Sequence, residues 1–332
     1  MKKQNILSFL LVLTMIFLAV NQADAAASIP AKDANLTVSV EAEESETEEN
    51  DIIKKVVLRD KFKRSPETQI TNFIKKYNRY SSSNNIEKLK DMYSDNYLNN
   101  DGFDKTTVFK MMEMSASSYK SIKYDTEILS IMTDGNYAVV KAHETAVGET
   151  EKMIEKVKDN GTIVSDIYYI DYLEKINNKW KITATEIMSE EVELKYGEAK
   201  KMKVDISAPA CVPAGTEYEV TMKAKTPDGV FVVGSIVNEP IIYPQVQSKD
   251  VFRSIKSEEF TRILTSNKDN NNEYATISIA LTRAMVEPPS VVLNMTGLGF
   301  FMKRVNVLSL NKNLNKEGAD AAAENSKNAE KS

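Results

Sequence analysis

Between Ile122 and Met188 the sequence falls into four stretches in which apolar and polar side chains alternate, parted by short polar turns, and no other feature limits the possible folds as strongly. A period of two belongs to strands, whose successive side chains point to opposite faces. Ile122, Tyr124, Thr126 and Ile128 share one parity. After the turn TDGN, the stretch YAVVKAHETAVGE puts Ala138, Val140, Ala142, Glu144 and Ala146 on one face and Tyr137, Val139, Lys141, His143 and Thr145 on the other. Asp159, Asn160 and Gly161 supply a hairpin signal before TIVSDIYYIDYLEK, and the turn INNK precedes WKITATEIM. Turns this short join antiparallel neighbours, so a meander of long strands is expected.

Three helices are expected ahead of the meander. Ser65 is a cap and Pro66 a first helical residue, with Ile70, Phe73, Ile74 and Tyr77 recurring behind them at helical spacing. Ile86, Leu89 and Tyr93 share a face in NNIEKLKDMYSDNY, and Asp104 caps a third helix that carries Val108, Phe109 and Met112 inward. Helices followed by strands make residues 65–197 an α+β domain. Beyond it, YEVTMKAK, VFVVGSIV, EYATISIAL, SVVLNM and RVNVLSL read as short strands, and residues 200–310 are expected to form an all-β sandwich. The segment KDVFRSIKSEEFTRIL fits a helix nearly as well as an edge strand.

The ends of the chain read differently. Lys2 and Lys3, the apolar run from Ile6 to Val20, and Ala23-Asp24-Ala25 make residues 1–25 a cleaved signal peptide, the alternative being a retained anchor. Residues 26–64 include six glutamates between Glu41 and Glu49 and form an acidic linker, and residues 311–332 are a polar tail. Localisation is therefore expected to be periplasmic or extracellular. A net charge of -5 and the lack of an arginine-rich stretch argue against nucleic acid as a partner. One histidine and one cysteine, Cys211, rule out an internal disulfide and a typical zinc site, and no phosphate loop or catalytic signature occurs, so no cofactor or metal is expected. Cys211 reads as a small buried side chain.

The helix TQITNFIKKYNRY, the following IEKLKDMYSDNY, the strand DGNYAVVKAHETA and the closing YLEKINNKWKI give the first part of the chain a pattern that resembles the nuclear transport factor 2-like superfamily. That resemblance implies a cone-shaped α+β fold, with a pocket between sheet and helices that serves as an active site, holds a ligand, or has no such use. The second part resembles an immunoglobulin-like β-sandwich in architecture, without the cysteine and tryptophan hallmarks. Exported members of the first family fused to other modules resemble assembly or spacer domains.

Neighbours in a strand point opposite ways, so His143 and Glu144 cannot form a dyad. The dry parity suits the helix-facing side, which places Glu144 inward and His143 outward. Trp180, Ile182, Ala184 and Glu186 share a parity, so a pocket lined by Tyr77, Glu144, Tyr168, Trp180 and Glu186 is expected for a ligand, with no residue assigned to catalysis. Asp171 and Tyr169 share a parity and are comparable with the aspartate and tyrosine of steroid isomerases, although no role carries over. Tyr243, Phe252, Phe260, Phe300 and Phe301 are read as core, with a sugar- or peptide-binding platform as the alternative. The expected function is non-catalytic binding or assembly in a bacterial cell envelope, with a protein or small hydrophobic ligand as partner and the outer face pairing two copies. The alternatives are an isomerase, dehydratase or cyclase using Glu144 or Glu186, and carbohydrate or adhesion binding by the sandwich.

Overall fold

The computed structural model describes residues 65–245, 252–255, 257–287 and 290–309. The expected signal peptide, acidic linker and polar tail lie outside these residues. No helix among the described residues is long and apolar enough to cross a membrane.

The chain opens with α1 (Pro66–Ser82), α2 (Ile86–Lys90), β1 (Tyr93–Asn99) and α3 (Lys105–Ser118). Each helix begins where a side chain can accept a free backbone N–H. Ser65 Oγ accepts from Thr68, Asn85 Oδ1 from Lys88 and Asp104 Oδ1 from Thr107. The helical spacing of Ile70, Ile74 and Tyr77 buries one side of α1, and Val108, Phe109 and Met112 do the same for α3. Tyr93 does not continue α2. It opens β1, which runs parallel to β5 (Lys179–Gly197).

The meander follows as β2 (Tyr119–Asp134), β3 (Tyr137–Ile154), β4 (Asp159–Ile176) and β5. The β4–β5 turn places Asn177 and Asn178 at φ 49 and 60, the pair of positive values that a tight two-residue hairpin turn needs. The β3–β4 reversal begins four residues earlier than expected, over residues 155–158, with Lys158 at φ 55. Asp159, Asn160 and Gly161 already belong to β4.

After a short 3₁₀ turn, Glu198–Lys201, come β6 (Val204–Ser207), β7 (Cys211–Pro213), β8 (Glu217–Ala224), β9 (Phe231–Pro240), β10 (Arg253–Ile255), β11 (Glu259–Thr265), β12 (Glu273–Glu287) and β13 (Ser290–Leu308). The ambiguous segment becomes β10 and β11, and SVVLNM and RVNVLSL are parts of one strand, β13. Cys211 is exposed, contrary to expectation.

The expected architecture, a cone-shaped α+β nuclear transport factor 2-like domain followed by an immunoglobulin-like sandwich, is overturned by the strand pairing. One sheet of ten strands runs β10-β9-β12-β13-β5-β4-β3-β2, with β1 on β5 and β7 on β13, so both halves of the chain share a single, mostly antiparallel sheet. The joint is the pairing of β13 with β5, from Gly297 opposite Gly197 to Lys303 opposite Glu191. A sheet of three strands, β11-β8-β6, shares a second core with the β9–β12–β13 portion through Val220, Met222, Ile236, Ile277 and Phe301. The first core, under β2–β5, takes in Tyr274, Phe300 and Met302 from the second half. Phe300 and Phe301 are neighbours in a strand and enter different cores, while Phe252 is exposed, so the second-half aromatics do not gather on one platform.

Candidate functional site

The inner face of the meander carries the most unusual chemistry of the described residues. On β3 the expected parity is observed, with Ala138, Val140, Ala142, Glu144 and Ala146 all buried. Thr126 pairs with Glu144, Glu144 with Ile167, and Ile167 with Glu190, so one row crosses β2 to β5 and holds two carboxyls beneath the sheet. Glu144 is 3% exposed, and burial pushes its carboxyl up to about 7, with the charge of Asp171 adding to the shift and a Thr126 hydrogen bond opposing it. Thr126 Oγ1 lies 3.1 Å from both Glu144 Oε2 and Asn78 Oδ1. A hydroxyl has one proton to give, so a protonated Glu144 that donates to Thr126 lets Thr126 donate to Asn78.

Asp171, on β4, is likewise buried and accepts a 2.6 Å hydrogen bond from Thr185 Oγ1, and burial raises it to about 7. Tyr77 and Tyr169 both feel the charges of Glu144 and Asp171. Burial first, then those charges, keeps both phenols protonated. Tyr93 donates to the Tyr77 hydroxyl at 3.2 Å and packs edge-on against Tyr97 and Phe109 at 4.9 and 5.2 Å. Together with Met111, Met112 and Tyr119, these rings fill the space between helices and sheet.

Glu190 continues the site toward the second half of the chain. Burial raises its carboxyl to about 8, and Tyr274 donates to Oε2 at 2.6 Å while Oε1 has no hydrogen-bond partner among the described residues. Beside it Arg304, with no exposed side-chain surface, makes two hydrogen bonds to Asp101 at 2.5 and 3.1 Å. Asn272 adds a third to Asp101 at 2.8 Å.

Of the five residues expected to line one pocket, Tyr77 and Glu144 belong to this interior. Trp180 is buried inward too, but in a separate cluster with Ile70, Ala138, Val140 and Leu173, at the start of β5 and well before Glu190. Glu186 points outward because β5 contains a bulge. Leu173 pairs with Ile182 and Tyr172 with Ala184, which leaves Thr183 extra and reverses the alternation, so Thr185 and Ile187 turn inward and Glu186 outward, where Tyr172 donates to it at 3.2 Å. A second bulge at Met188 restores the phase and turns Glu190 in. Tyr168 also lies on the outer face, stacked on His143 with centroids 4.2 Å apart and planes 8° apart. His143 Nε2 lies 2.9 Å from Asp166 Oδ2. Asp171 was visible as a parity partner of Tyr169. Glu190 and the Arg304–Asp101 pair had no local signal, since each depends on pairing between distant segments.

Chemically, the interior can hold neutral carboxyls and phenols as donors at neutral pH. Among the described residues no group of three metal-ligating side chains occurs. The outer face, in contrast, presents aromatic and apolar groups to water. Tyr137 and Met132 are 62% and 63% exposed, and Val147, Val164, Tyr168 and Tyr172 are exposed with them.

No family model matches the chain, and no curated protein matches it. Among solved structures, a crystal structure from Novosphingobium aromaticivorans DSM 12444 that carries the name of a scytalone dehydratase is similar over 36% of this chain and 81% of that one, with 16% identity and a TM-score of 0.32. At that score the likeness brings neither a fold nor an activity to this protein.

Proposed function

We propose that the protein acts by binding, through the outer face of β2–β5, in the envelope of a bacterium or outside it after export through its first 25 residues. The observation that carries this reading is the exposed apolar and aromatic stripe. Met132 lies opposite Val139 and Val139 opposite Tyr172, while Val147 lies opposite Val164, so the stripe is continuous across strands. Solvent-facing sides of antiparallel sheets are ordinarily polar, and an apolar patch with tyrosines on such a side is typical of an interaction surface. The same face mixes Lys141 with Glu127, Asp166 and Glu186, so it offers both signs of charge to a second copy of itself. A two-fold pairing of identical faces is the simplest use of such a surface. Light scattering at micromolar concentration should give a dimer mass, and a monomer at high micromolar concentration would remove the reading.

A second reading, a small-molecule isomerase, dehydratase or cyclase, is favoured by one observation, the near-neutral carboxyls of Glu144 and Asp171 among tyrosines. The filling of the interior by Tyr93, Tyr97, Met111 and Met112 speaks against it. Calorimetric binding of a small cyclic enone that is lost in Glu144→Gln would restore it.

A further inference from the structure

The paired strands β12 and β13 run on past the sheet that holds them. Strand β9 accompanies β12 no further than the pairing of Phe231 with Thr282, and β5 accompanies β13 only from Gly297 onward. Residues 283–287 and 290–296 therefore form a two-stranded hairpin that projects beyond the sheet, by about 17 Å for the five residues of β12. Cross-strand partners share a face. Thr282 lies opposite both Phe231 and Met295, Ala284 lies opposite Leu293, and Val286 is two positions further, so Phe231, Met295, Leu293 and Val286 stand on one side. Phe231, Leu293 and Val286 are 60%, 61% and 77% exposed, and Met285 is exposed on the opposite side.

At its base the hairpin forms one wall of a cleft of about 1140 Å³, to which it contributes Thr282, Leu293 and Met295. The facing walls are the β3–β4 turn and the 3₁₀ turn after β5, and they carry Lys156, Lys158 and Lys201. Other charges at the cleft are matched. Lys200 Nζ lies 2.7 Å from Asp159 Oδ2, and Arg283 Nε lies 2.9 Å from Glu198 Oε1. Lys156, Lys158 and Lys201 form no ion pair among the described residues, and the one unpaired acid in the cleft is Glu155. Three lysines against one glutamate leave a positive surplus here, in a chain whose net charge is -5.

We propose that the hairpin and the cleft beside it dock on an anionic lipid surface, a role separate from pairing through the outer face of β2–β5. Val286, Leu293 and Phe231 enter the boundary between headgroups and acyl chains, and the three lysines reach the lipid phosphates on their long stems. Glu287, the one charged residue between Ala284 and Met295, limits the immersion to that boundary, about 5–10 Å deep. A groove on a partner protein would cover one side of the hairpin and leave Met285 or Val286 in water, whereas lipid surrounds both.

The test is sedimentation of the full chain with vesicles of phosphatidylcholine alone and of phosphatidylcholine mixed with phosphatidylglycerol. The parent is compared with a Lys156→Gln, Lys158→Gln, Lys201→Gln triple variant and with a Val286→Ser, Leu293→Ser double variant. All five side chains are exposed, so both variants should keep the parent's urea midpoint. The parent is expected to bind the anionic vesicles at least about ten-fold more tightly than the neutral ones, and less tightly as salt is added. Binding should fall about a hundred-fold in the lysine variant and about ten-fold in the serine variant. No preference for anionic vesicles, or a lysine variant that binds them as the parent does, would overturn the proposal. A serine variant that binds as the parent does would overturn it in favour of another apolar surface. Competition by millimolar glycerol phosphate at constant ionic strength would overturn it in favour of a site for a small free anion.

Discussion

Replacing Glu144 by glutamine should make the protein more stable at alkaline pH and leave it nearly unchanged at acidic pH. The carboxyl has an ordinary value of 4.5 in the unfolded chain and about 7 when folded, because burial disfavours its charged form. Between those values the folded state holds a proton that the unfolded state has lost, so stability falls as pH rises. The contribution is fully present below pH 4.5 and is gone once pH has passed through about 7. A displacement of this size corresponds to roughly 3 kcal/mol at about 1.4 kcal/mol per pH unit. Glutamine has no charge to bury and can still accept from Thr126, so Glu144→Gln should gain up to about 3 kcal/mol over the parent at pH 8 and little at pH 4.5. Asp171 and Glu190 titrate in the same direction, to about 7 and about 8, so the variant keeps a shallower slope of the same sign. Urea unfolding at half-unit steps from pH 4.5 to 8.5, with constant m-value, measures this. A parent whose stability is flat with pH, or a variant that loses equally at both ends, would refute the burial argument.

Other expectations follow from single contacts. Arg304→Met strands the Asp101 carboxylate in the interior and should cost about 3–5 kcal/mol, whereas adding Asp101→Asn should recover much of the loss, both read from urea midpoints. A Cβ on Gly161 would stand 2.6 Å from the Tyr196 ring and 2.7 Å from Leu194, so Gly161→Ala should destabilise by about 1–3 kcal/mol even though the strand itself prefers alanine. His143→Ala removes an outward contact to Asp166 and a stack on Tyr168 at the protein surface and should change stability, read from the urea midpoint, by less than about 1 kcal/mol.

Local chemistry in the sequence was a good guide where one short segment decides the outcome. Ser65 and Asp104 cap the helices they were expected to cap, and the parity of β3 places Glu144 in and His143 out because nothing interrupts that alternation over its middle. On β5 the same reasoning failed at Glu186. A bulge needs only one extra residue, Thr183, and which residue is extra is decided by the register against β4, not by β5 itself. The larger correction has the same origin. Gly197, at φ 56, and the 3₁₀ turn after it look like a boundary between two domains, yet the last residues of β5 pair with β13, about a hundred positions later. Pairings at that separation carry the joint between the halves, the Arg304–Asp101 pair and the Tyr274–Glu190 bond, and none has a local periodicity to betray it.

The claim that the outer face is the working surface and the inner carboxyls are structural is tested most directly by sedimentation equilibrium on three proteins. The parent and Glu144→Gln are expected to dimerise with equal affinity, while Tyr168→Glu, which places a charge in the centre of the stripe, should weaken association by about a hundred-fold or more. A monomeric parent, or a Tyr168→Glu variant that associates as the parent does, would contradict it.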